Sequence, residues 1–556
     1  MKKNFHLRLV AMLMCILLLC TACNTSTNGT ATSETDKSAV QTTTTADNTS
    51  NDLVEIYISD KVISENPITL TAVTPINNFV KSDIGTFAIW DLLEKATNVH
   101  WEVEGIPENS YADKVTLMIS GNDLPDVLFA PGADIQGKYY NTGLFLALDE
   151  MIETEAPAIA ELLSDPVIRA NIASPDGKIY VTPAGEIAPW LDDGNEIFIN
   201  GQWLEKLNLE VPTDLDGFYN VLKAFKEQDP NGNSLPDELP LSMSIKRGDL
   251  LRFMGMFGLP INANYEMQRD EKYIYGPTQD AFRAGLEYFH KLYADGLLDP
   301  ESLTQERPEL MAKGASDPTV VGTLIGFWPN DYCTPEVSAL YVPVLPLSGG
   351  TDGKPEWLNA ANMPYGGGMV ITTNCKYPKE ALRWANYISE DPARTMEIVW
   401  GPLDLNILAI TEDGKYKENV GAEPEGMTYN EWTYSNTVRL SIPWFMTQES
   451  VLAVRDVSGE AAYKLDIVDQ YRPYFYNDIL TTAHVNNYES EELRQEAVTI
   501  STDLKTIVDE FVAQSLMNGI TDDSWAAFQK TLSKANVEKF IEIRQKSLDK
   551  FYASIK

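Results

Sequence analysis

The feature that most constrains this fold is an alternation of strand-like and helix-like segments early in the chain. Residues 68–73 alternate apolar side chains with threonine, as a half-buried strand does. A helical pattern at 87–96 and a strand pattern at 99–103 follow, and a helix at 112–120 then leads to a buried strand at 127–130. This β-α-β-α-β order predicts an α/β fold with a largely parallel sheet.

Longer helices are predicted further along the chain. The segment 213–228 repeats apolar residues at spacings of three and four, with Thr213 as the expected N-cap. The same pattern occurs at 280–295 and 378–389, and 491–552 reads as nearly continuous helix. The sequence therefore predicts a helix-rich carboxyl-terminal region.

The amino terminus has the pattern of an exported protein. Three cations among the first eight residues precede an apolar stretch at 9–20, which is short for a membrane span and suits a signal-peptide core. It ends in Leu19-Cys20-Thr21-Ala22-Cys23, which resembles the bacterial lipobox except that Cys20 stands where leucine is usual. We predict a signal peptide at 1–22 and a lipid on Cys23. An ordinary signal peptide and an uncleaved anchor are the alternatives.

A polar segment follows the predicted anchor. Residues 23–52 consist largely of Ser, Thr, Asn, Ala and Asp and lack apolar periodicity, which predicts a flexible stalk. Several acyl chains on one cysteine would make a stable membrane tether. The folded part is expected at 53–556. Its two cysteines, Cys333 and Cys375, could pair outside the cell or stay buried thiols, and their spacing favours neither.

Charge and motif content exclude several functions. Lys and Arg number 43 and Asp and Glu number 81, and the resulting net charge of −38 disfavours nucleic acid as a partner. The four histidines have no paired metal-ligand spacing, and no GxSxG, P-loop or GxGxxG motif occurs in the sequence. We therefore expect a binding protein and no enzyme, with a secreted glycosidase or lyase as the alternative.

One short segment, Asp229–Glu238, has the spacing of a cation-binding loop. Side chains that carry oxygen occur at alternate positions around a turn, as in an EF-hand, and Ca²⁺ prefers six to eight oxygen ligands. The predicted ligands are Asp229, Asn231, Asn233, the backbone carbonyl of Leu235, Asp237 and Glu238. Ser234 takes the place of the usual glycine, so we expect it in a left-handed conformation. The alternative is an ordinary turn rich in Asn and Asp.

Aromatic residues near turns indicate a sugar-binding site. The chain has 11 Trp and 25 Tyr, and sugar rings stack on aromatic planes while amides and carboxylates bind their hydroxyls. Sheets of the α/β class bind ligands at loops that follow the strands. The predicted ligand-binding residues are Asn77, Asn78, Asp123, Trp190, Trp328, Asp331, Tyr365, Trp400 and Trp444. The alternative is that most of these tryptophans belong to the core.

Several stretches together resemble the extracellular solute-binding proteins of ATP-binding-cassette (ABC) importers. The nearest group is the large LipO-like lipoproteins of Gram-positive bacteria, which are related to alginate-oligosaccharide-binding proteins. The stretches that carry the resemblance are Gly121-Asn122-Asp123-Leu124-Pro125-Asp126-Val127, Trp203-Leu204-Glu205-Lys206-Leu207-Asn208-Leu209, Val211-Pro212-Thr213, Gly296-Leu297-Leu298-Asp299-Pro300 and Asn386-Tyr387. The resemblance extends over residues 53–556.

The resemblance implies a two-lobed, type II periplasmic-binding-protein fold that closes on a ligand. The first lobe is expected at about 53–185 and 325–430, and the second at about 186–324 and 431–556. Calcium on the Asp229–Glu238 loop is implied by the alginate-binding relatives.

The same family implies an oligosaccharide ligand, an ABC permease as partner, a monomer, and a lipid-anchored position on the outer face of a Gram-positive cell membrane. Many members carry Arg-x-Asp-Trp where this chain has Asn200-Gly201-Gln202-Trp203, which favours a neutral sugar over an acidic one. A carrier of peptide, lipid or another non-sugar solute also agrees with the sequence, as does a sensor that passes a signal to a membrane partner.

Overall fold

Strands and helices alternate along the described part of the chain. The computed structural model describes residues 62–77, 80, 82–189, 195–359, 367–401, 403–427, 429–439, 441–477 and 488–556, which belong to one compact unit. The strands are β1 (Ile68–Ile76), β2 (Val99–Pro107), β3 (Val127–Phe129), β4 (Gly185–Glu186), β5 (Glu196–Asn200), β6 (Glu266–Arg269), β7 (Lys272–Tyr275), β8 (Thr323–Gly326), β9 (Tyr341–Val344), β10 (Trp357–Leu358), β11 (Met369–Ile371), β12 (Leu408–Ile410), β13 (Tyr416–Glu418), β14 (Phe445–Met446) and β15 (Phe475–Tyr476).

The α-helices fill most of the remaining described chain. They cover Ala88–Thr97, Glu108–Gly121, Gly132–Tyr139, Asp149–Glu155, Pro157–Leu162, Pro166–Ile172, Gly201–Leu207, Leu215–Glu227, Asp249–Arg252, Asp280–Ala294, Arg307–Gly314, Pro335–Ser338, Pro378–Ser389, Pro392–Val399, Tyr429–Tyr434, Gln448–Val454, Glu460–Tyr471, Glu491–Asn518, Asp522–Lys534 and Val537–Ile555. Within the described ranges no helix is long and apolar enough to cross a membrane.

The predicted β-α-β-α-β segment forms the first sheet. Its strand order is β11-β3-β1-β2, in which β1 pairs in parallel with both β2 and β3, and β11 adds an antiparallel edge. The parallel β1–β2 register runs from Ile68 opposite Val99 to Ile76 opposite Pro107. The prediction of a largely parallel sheet is confirmed here.

The second sheet differs from the first in the direction of its strands. It has the order β8-β5-β9, and β5 is antiparallel to both of its neighbours. Residues 201–322, which are mostly helical and include the β6–β7 hairpin, separate β5 from β8, and the chain returns from them in the opposite direction. The prediction of parallel strands concerned the first sheet, and it does not extend to this one.

Two hydrophobic cores surround the two sheets. The first draws on residues 63–188 and 369–451, and the second draws mainly on 197–357 and 467–551. Residues 325–357 therefore contribute to the second core, although the predicted boundaries place them in the first lobe. The reason is that β8 and β9 pair with β5.

A second segment also belongs to a different core from the one that the predicted boundaries imply. Residues 438–451 contribute to the first core, where the predicted boundaries place them in the second lobe. Here β14 pairs with β4, so this part of the chain stays with the first core. The assignment of segments to cores thus follows strand pairing over long sequence separations.

The helix Glu460–Tyr471, hereafter the connecting helix, packs on both cores. Ala461 and Leu465 pack against the first core, and Ile467 and Tyr471 are buried in the second. The Tyr471 hydroxyl accepts a hydrogen bond from the Ile197 backbone N–H at 3.3 Å, which joins this helix to β5. The two cores are therefore linked through one helix.

Two local predictions can be compared with the structure: the N-cap at Thr213 and the pairing of the two cysteines. The helix Leu215–Glu227 is capped by Asp214, whose carboxylate accepts from the Gly217 N–H at 2.7 Å, so the Thr213 N-cap prediction is wrong by one residue. Cys333 lies in the second core and Cys375 packs against the first, and both are free thiols. The two cysteines therefore do not form a disulfide.

Candidate functional site

A pair of stacked aromatic rings lies where the connecting helix meets the second sheet. Trp328 follows the carboxyl end of β8, and its ring stacks on Tyr463 with centroids 5.5 Å apart and planes 14° from parallel. Tyr463 is 42% exposed and Trp328 is half-buried, so a flat aromatic surface faces solvent. Such a surface suits the apolar face of a sugar ring.

Neighbouring polar groups hold this pair in place. The Asp331 carboxylate accepts from the Trp328 N–H at 3.3 Å and pairs with Arg307 at 3.1 Å, which fixes the turn after β8. The next residue of the connecting helix, Lys464, forms a buried ion pair with Glu196 at the start of β5. Of the predicted ligand-binding residues, the structure therefore brings Trp328 and Asp331 together.

Trp400 and Trp444 belong to the first core, which corrects their prediction as cleft residues. Trp400 is 1% exposed, and its ring meets Trp444 edge-on at 4.8 Å. The guanidinium groups of Arg439 and Arg455 lie 4.7 and 5.2 Å from the Trp400 ring centroid. Because the ring is buried among these protein neighbours, Trp400 offers no surface on which a sugar could stack.

Ion pairs extend from the Trp400 cluster to the segment near β4. Arg455 pairs with Glu186 at 3.2 Å and with Glu418 at 3.1 Å, and Arg439 approaches the same two carboxylates at 3.9–4.0 Å. The network joins residues that are far apart in sequence, and it fixes the edge of the first core.

Asp123 lies at the wrong edge of the first sheet for the predicted site. It is exposed and precedes β3, so it is at the amino ends of the parallel strands. With His100 and Glu102 it lines a separate cavity of about 650 Å³ along β2. The prediction is wrong because the Gly121–Asp123 turn enters a strand, whereas ligand loops follow strands.

Asn77 does follow a strand. It is half-buried just after the carboxyl end of β1, where its backbone carbonyl accepts from the Val80 N–H at 3.2 Å. Asn78, Trp190, Tyr365 and the predicted lipid-bearing Cys23 lie outside the described residues.

The candidate site contains one residue that the sequence did not indicate, Tyr463. Its sequence context is a helix with many charged and polar side chains, and the distance of 135 positions to Trp328 hides the stacking. The signal in the sequence is weak: an aromatic side chain on the exposed face of a helix.

The Asp229–Glu238 segment forms a tight loop after the helix Leu215–Glu227. The Asp229 carboxylate accepts from the N–H groups of Gly232, Asn233 and Ser234 at 2.7–3.1 Å. The Asn231 and Asn233 side-chain amides donate to the two oxygens of Asp237 at 3.0 and 2.9 Å. Ser234 has φ +65°, which confirms the predicted left-handed conformation.

The loop fits a hard cation in its donor chemistry. Glu238 Oε1 is buried without a hydrogen-bond partner among the described residues, and burial raises the pKa of this carboxyl group. A buried, unpaired carboxylate oxygen is costly unless a positive group approaches it. Across the described part of the chain, no three side chains of the types His, Cys, Asp and Glu converge on one point. The loop would therefore depend on amide and backbone oxygens as well.

Comparisons with known proteins agree with this architecture. The family model of bacterial extracellular solute-binding proteins matches residues 85–395. The fructooligosaccharide ABC transporter substrate-binding protein FusA of Streptococcus pneumoniae is 25% identical over 519 residues, which is 87% of this chain and 90% of FusA. Lipoprotein LipO of Bacillus subtilis is 28% identical over 245 residues, which cover 41% of this chain and 44% of LipO.

Solved structures give the same result. FusA in complex with kestose superposes with a TM-score of 0.71 at 23% identity, covering 87% of this chain and all of that one. An extracellular solute-binding protein from Bifidobacterium longum subsp. infantis has a TM-score of 0.77 at 19% identity, with 88% and 100% coverage. The predicted fold class and the resemblance to LipO-like proteins are confirmed.

Proposed function

The chain belongs to the bacterial extracellular solute-binding proteins, and we propose that it captures an oligosaccharide between two lobes and delivers it to an ABC permease. The relatives FusA and LipO support this function, since the first is a substrate-binding protein for fructooligosaccharides and the second a lipoprotein. The chain would act as a carrier and catalyse no reaction.

The observation that carries the proposal is the exposed aromatic pair of Trp328 and Tyr463. Trp328 follows β8 of the second sheet, while Tyr463 lies on the connecting helix, which packs on both cores. A sugar stacked on Tyr463 would therefore lie beside the junction of the two cores. A ligand that contacts both lobes favours the closed conformation by its differential affinity for that state.

A glycan panel tests the proposal. The purified protein is screened by thermal shift against neutral oligosaccharides, including kestose, and against acidic ones, peptides and lipids. A ligand at 100 times its Kd stabilises the folded state by about 2.7 kcal/mol. We expect a shift with one class of neutral oligosaccharide and no turnover of that sugar on prolonged incubation.

Tyr463→Ala ties the result to the aromatic pair. Loss of an aromatic contact of about 0.5–1.5 kcal/mol weakens binding by about 2- to 12-fold. Tyr377→Ala is the matched control, because Tyr377 is exposed to a similar extent, 40%, near the start of the helix Pro378–Ser389. Equal affinities for the two variants would show that Tyr463 does not belong to the site.

The ligand screen also separates the alternative functions. A thermal shift with peptides or lipids alone would support a non-sugar carrier, and turnover of the bound sugar would support an enzyme.

We further propose a structural Ca²⁺ ion on the Asp229–Glu238 loop. Asp229, Asp237 and Glu238 would supply carboxylates, and Asn231, Asn233 and the Leu235 carbonyl would supply neutral oxygens, a set typical of Ca²⁺. A FusA structure that is described as an EF-hand mutant, at 24% identity and a TM-score of 0.71, supports this proposal. The ion would pin the loop after the helix Leu215–Glu227.

Chelation tests the calcium proposal. We expect EGTA to lower the melting temperature of the wild-type protein and added Ca²⁺ to restore it, while Asp237→Ala abolishes this response. Asp216→Ala is the control, because Asp216 lies on the preceding helix outside the loop. If EGTA leaves the wild-type melting temperature unchanged, the segment is an ordinary turn that binds no Ca²⁺.

We also propose that the protein is exported and lipid-anchored, as its family implies. Cleavage before Cys23 would leave a diacylated cysteine, and the polar stalk 23–52 would hold a monomeric binding protein at the outer face of the membrane. Metabolic labelling with an alkyne-tagged palmitate should mark the wild-type protein and spare Cys23→Ala. Labelling of both proteins would contradict the assignment of the anchor.

A further inference from the structure

The exposed face of the connecting helix carries polar side chains next to Tyr463. Asp466 and Gln470 follow Tyr463 by three and seven positions, so the three side chains lie on one face of this helix, and all three are exposed. At about 1.5 Å per residue, Asp466 lies about 4.5 Å and Gln470 about 10.5 Å further along the helix axis than Tyr463. This face therefore extends the aromatic surface with groups that can bind hydroxyls.

Asp466 is held in place by Gln470 and keeps its charge. The Gln470 side-chain amide donates to one oxygen of the Asp466 carboxylate at 2.9 Å. Asp466 forms no ion pair with a described residue, whereas Asp469 on the same helix pairs with Arg472 at 3.0 Å. The second oxygen of the exposed Asp466 carboxylate can therefore accept a hydrogen bond from a ligand hydroxyl.

Two other carboxylates beside the aromatic pair differ from Asp466 in this respect. Asp331 pairs with Arg307 at 3.1 Å, and Glu196 forms its buried ion pair with Lys464. Each of these two negative charges is offset by a neighbouring cation. The charge of Asp466 has no such partner among the described residues, so an anionic ligand at the aromatic pair meets a like charge.

The hydroxyl group of Tyr463 lies within the electrostatic reach of Asp466. Partial burial raises the pKa of the Tyr463 hydroxyl, and the negative charge of Asp466 raises it further, followed by that of Glu196. A charge that acts on this hydroxyl also acts on a ligand that stacks on the Tyr463 ring. The geometry of the helix and its electrostatics thus place Asp466 beside the same ligand position.

A neutral sugar and an acidic sugar would interact differently with this carboxylate. A carboxylate accepts hydrogen bonds from sugar hydroxyls, and such charge-assisted bonds are stronger than neutral ones. A uronate carries a carboxylate of its own, which a like charge repels. We propose that Asp466 is a specificity-determining residue, which binds a hydroxyl of the sugar unit next to the one on Tyr463 and rejects acidic oligosaccharides, while Gln470 positions its carboxylate. This role of Asp466 rests on the proposed carrier function and places the ligand among the neutral oligosaccharides.

Removal of single charges from the connecting helix tests this role. Asp466→Asn keeps the shape of the side chain and removes its charge. Asp469→Asn is the matched control, because Asp469 is also exposed on this helix but lies about 120° around the axis from Tyr463. Titration calorimetry measures the affinity of each purified protein for the neutral trisaccharides kestose, maltotriose and cellotriose and for the acidic trigalacturonate.

We expect the wild-type protein to bind at least one neutral trisaccharide and to bind trigalacturonate more weakly. Asp466→Asn should bind the neutral sugar about 5- to 10-fold more weakly, because a neutral hydrogen bond replaces a charge-assisted one. The ratio of neutral to acidic affinity should fall by about 10-fold or more in this variant, since the acidic sugar no longer meets a like charge. Asp469→Asn should keep the wild-type affinities and their ratio.

Tyr463→Ala separates selection by charge from stacking. This variant should weaken the binding of both classes of sugar and leave the ratio of their affinities unchanged, because stacking does not depend on the charge of the sugar. An unchanged ratio in Asp466→Asn, an equal change in Asp469→Asn, or preference of the wild-type protein for trigalacturonate overturns the role of Asp466 while the carrier function stands. If no trisaccharide binds the wild-type protein, this role is also overturned, and the carrier function fails with it only if the full oligosaccharide panel gives no thermal shift.

Discussion

Two charged clusters, one beside each core, differ in their ratio of cations to carboxylates. Beside the first core, Glu155 receives two cations, with Lys379 at 2.8 Å and Arg383 at 2.6 Å. In the cluster of the second core the ratio is reversed, because Arg544 lies between two buried carboxylates, Glu266 and Glu489. Excess cations favour an ionised carboxyl group, whereas burial with few cations favours a protonated one.

The pKa values follow this difference. Hydrogen bonds from Lys379 and then Arg383 lower the pKa of Glu155. Burial raises the pKa of Glu266 and of Glu489 against the opposing effect of Arg544. Acid should therefore weaken the Glu155 cluster and stabilise the Arg544 cluster, so the two clusters are expected to respond to pH with opposite signs.

Removal of Arg544 should have the largest effect of the predicted changes. Arg544→Met keeps the apolar stem and leaves Glu266 and Glu489 without this cation, so we expect a loss of about 3–5 kcal/mol in the free energy of unfolding. Lys546→Met, on the exposed face of the same helix, should cost about 0.5 kcal/mol or less. Urea unfolding measures both variants, and a smaller loss for Arg544→Met than for Lys546→Met would refute the comparison.

The extent to which the sequence predicts this molecule depends on how far apart the interacting residues are. The Asp229–Glu238 loop is predictable down to the left-handed Ser234, because its hydrogen bonds join residues within a few positions of each other. The first sheet is predictable because β1, β2 and β3 follow one another along the chain. Local spacing is visible in a sequence.

Contacts across long separations are not visible in the sequence. The turn-like surroundings of Trp400 predict a cleft position. However, Arg439 and Arg455, which lie against the Trp400 ring, are about 40 and 55 positions further along the chain. The lobe boundaries fail for the same reason, since β14 returns to β4 after about 260 positions. Side-chain type alone cannot distinguish a tryptophan covered by distant arginines from one that faces a ligand.

A pH titration of Asp249 sharpens the comparison within the second core. Asp249 is 2% exposed, and burial raises its pKa to about 6 despite a hydrogen bond from the Ser244 N–H at 2.8 Å. The folded state therefore binds this proton more tightly than the unfolded chain, whose pKa is about 3.9. The contribution to stability is full below the unfolded pKa and is lost as pH rises through about 6.

Asp249→Asn keeps an acceptor oxygen and removes the charge. Between about pH 4 and pH 7 the wild-type protein should lose about 2–3 kcal/mol of stability that the variant retains, since one pKa unit corresponds to about 1.36 kcal/mol. Urea unfolding across this range measures the difference, with the exposed Asp503→Asn as control. Parallel pH profiles for the wild-type protein and Asp249→Asn would contradict the assignment.

Glu155→Gln should give the smallest effect and the opposite sign with pH. Its lowered folded pKa means that stability is present above the unfolded carboxyl pKa and is lost as pH falls through the folded value. Both cations are largely exposed, so at neutral pH the variant should cost about 1 kcal/mol or less, and high salt should shrink this cost by screening. Glu153→Gln, on the exposed face of the same helix, is the control.

Arg544 lies among buried groups that counterions do not reach, so the loss of stability in Arg544→Met should persist in high salt. An equal salt response for Glu155→Gln and Arg544→Met would mean that the two regions do not differ in the way their burial indicates.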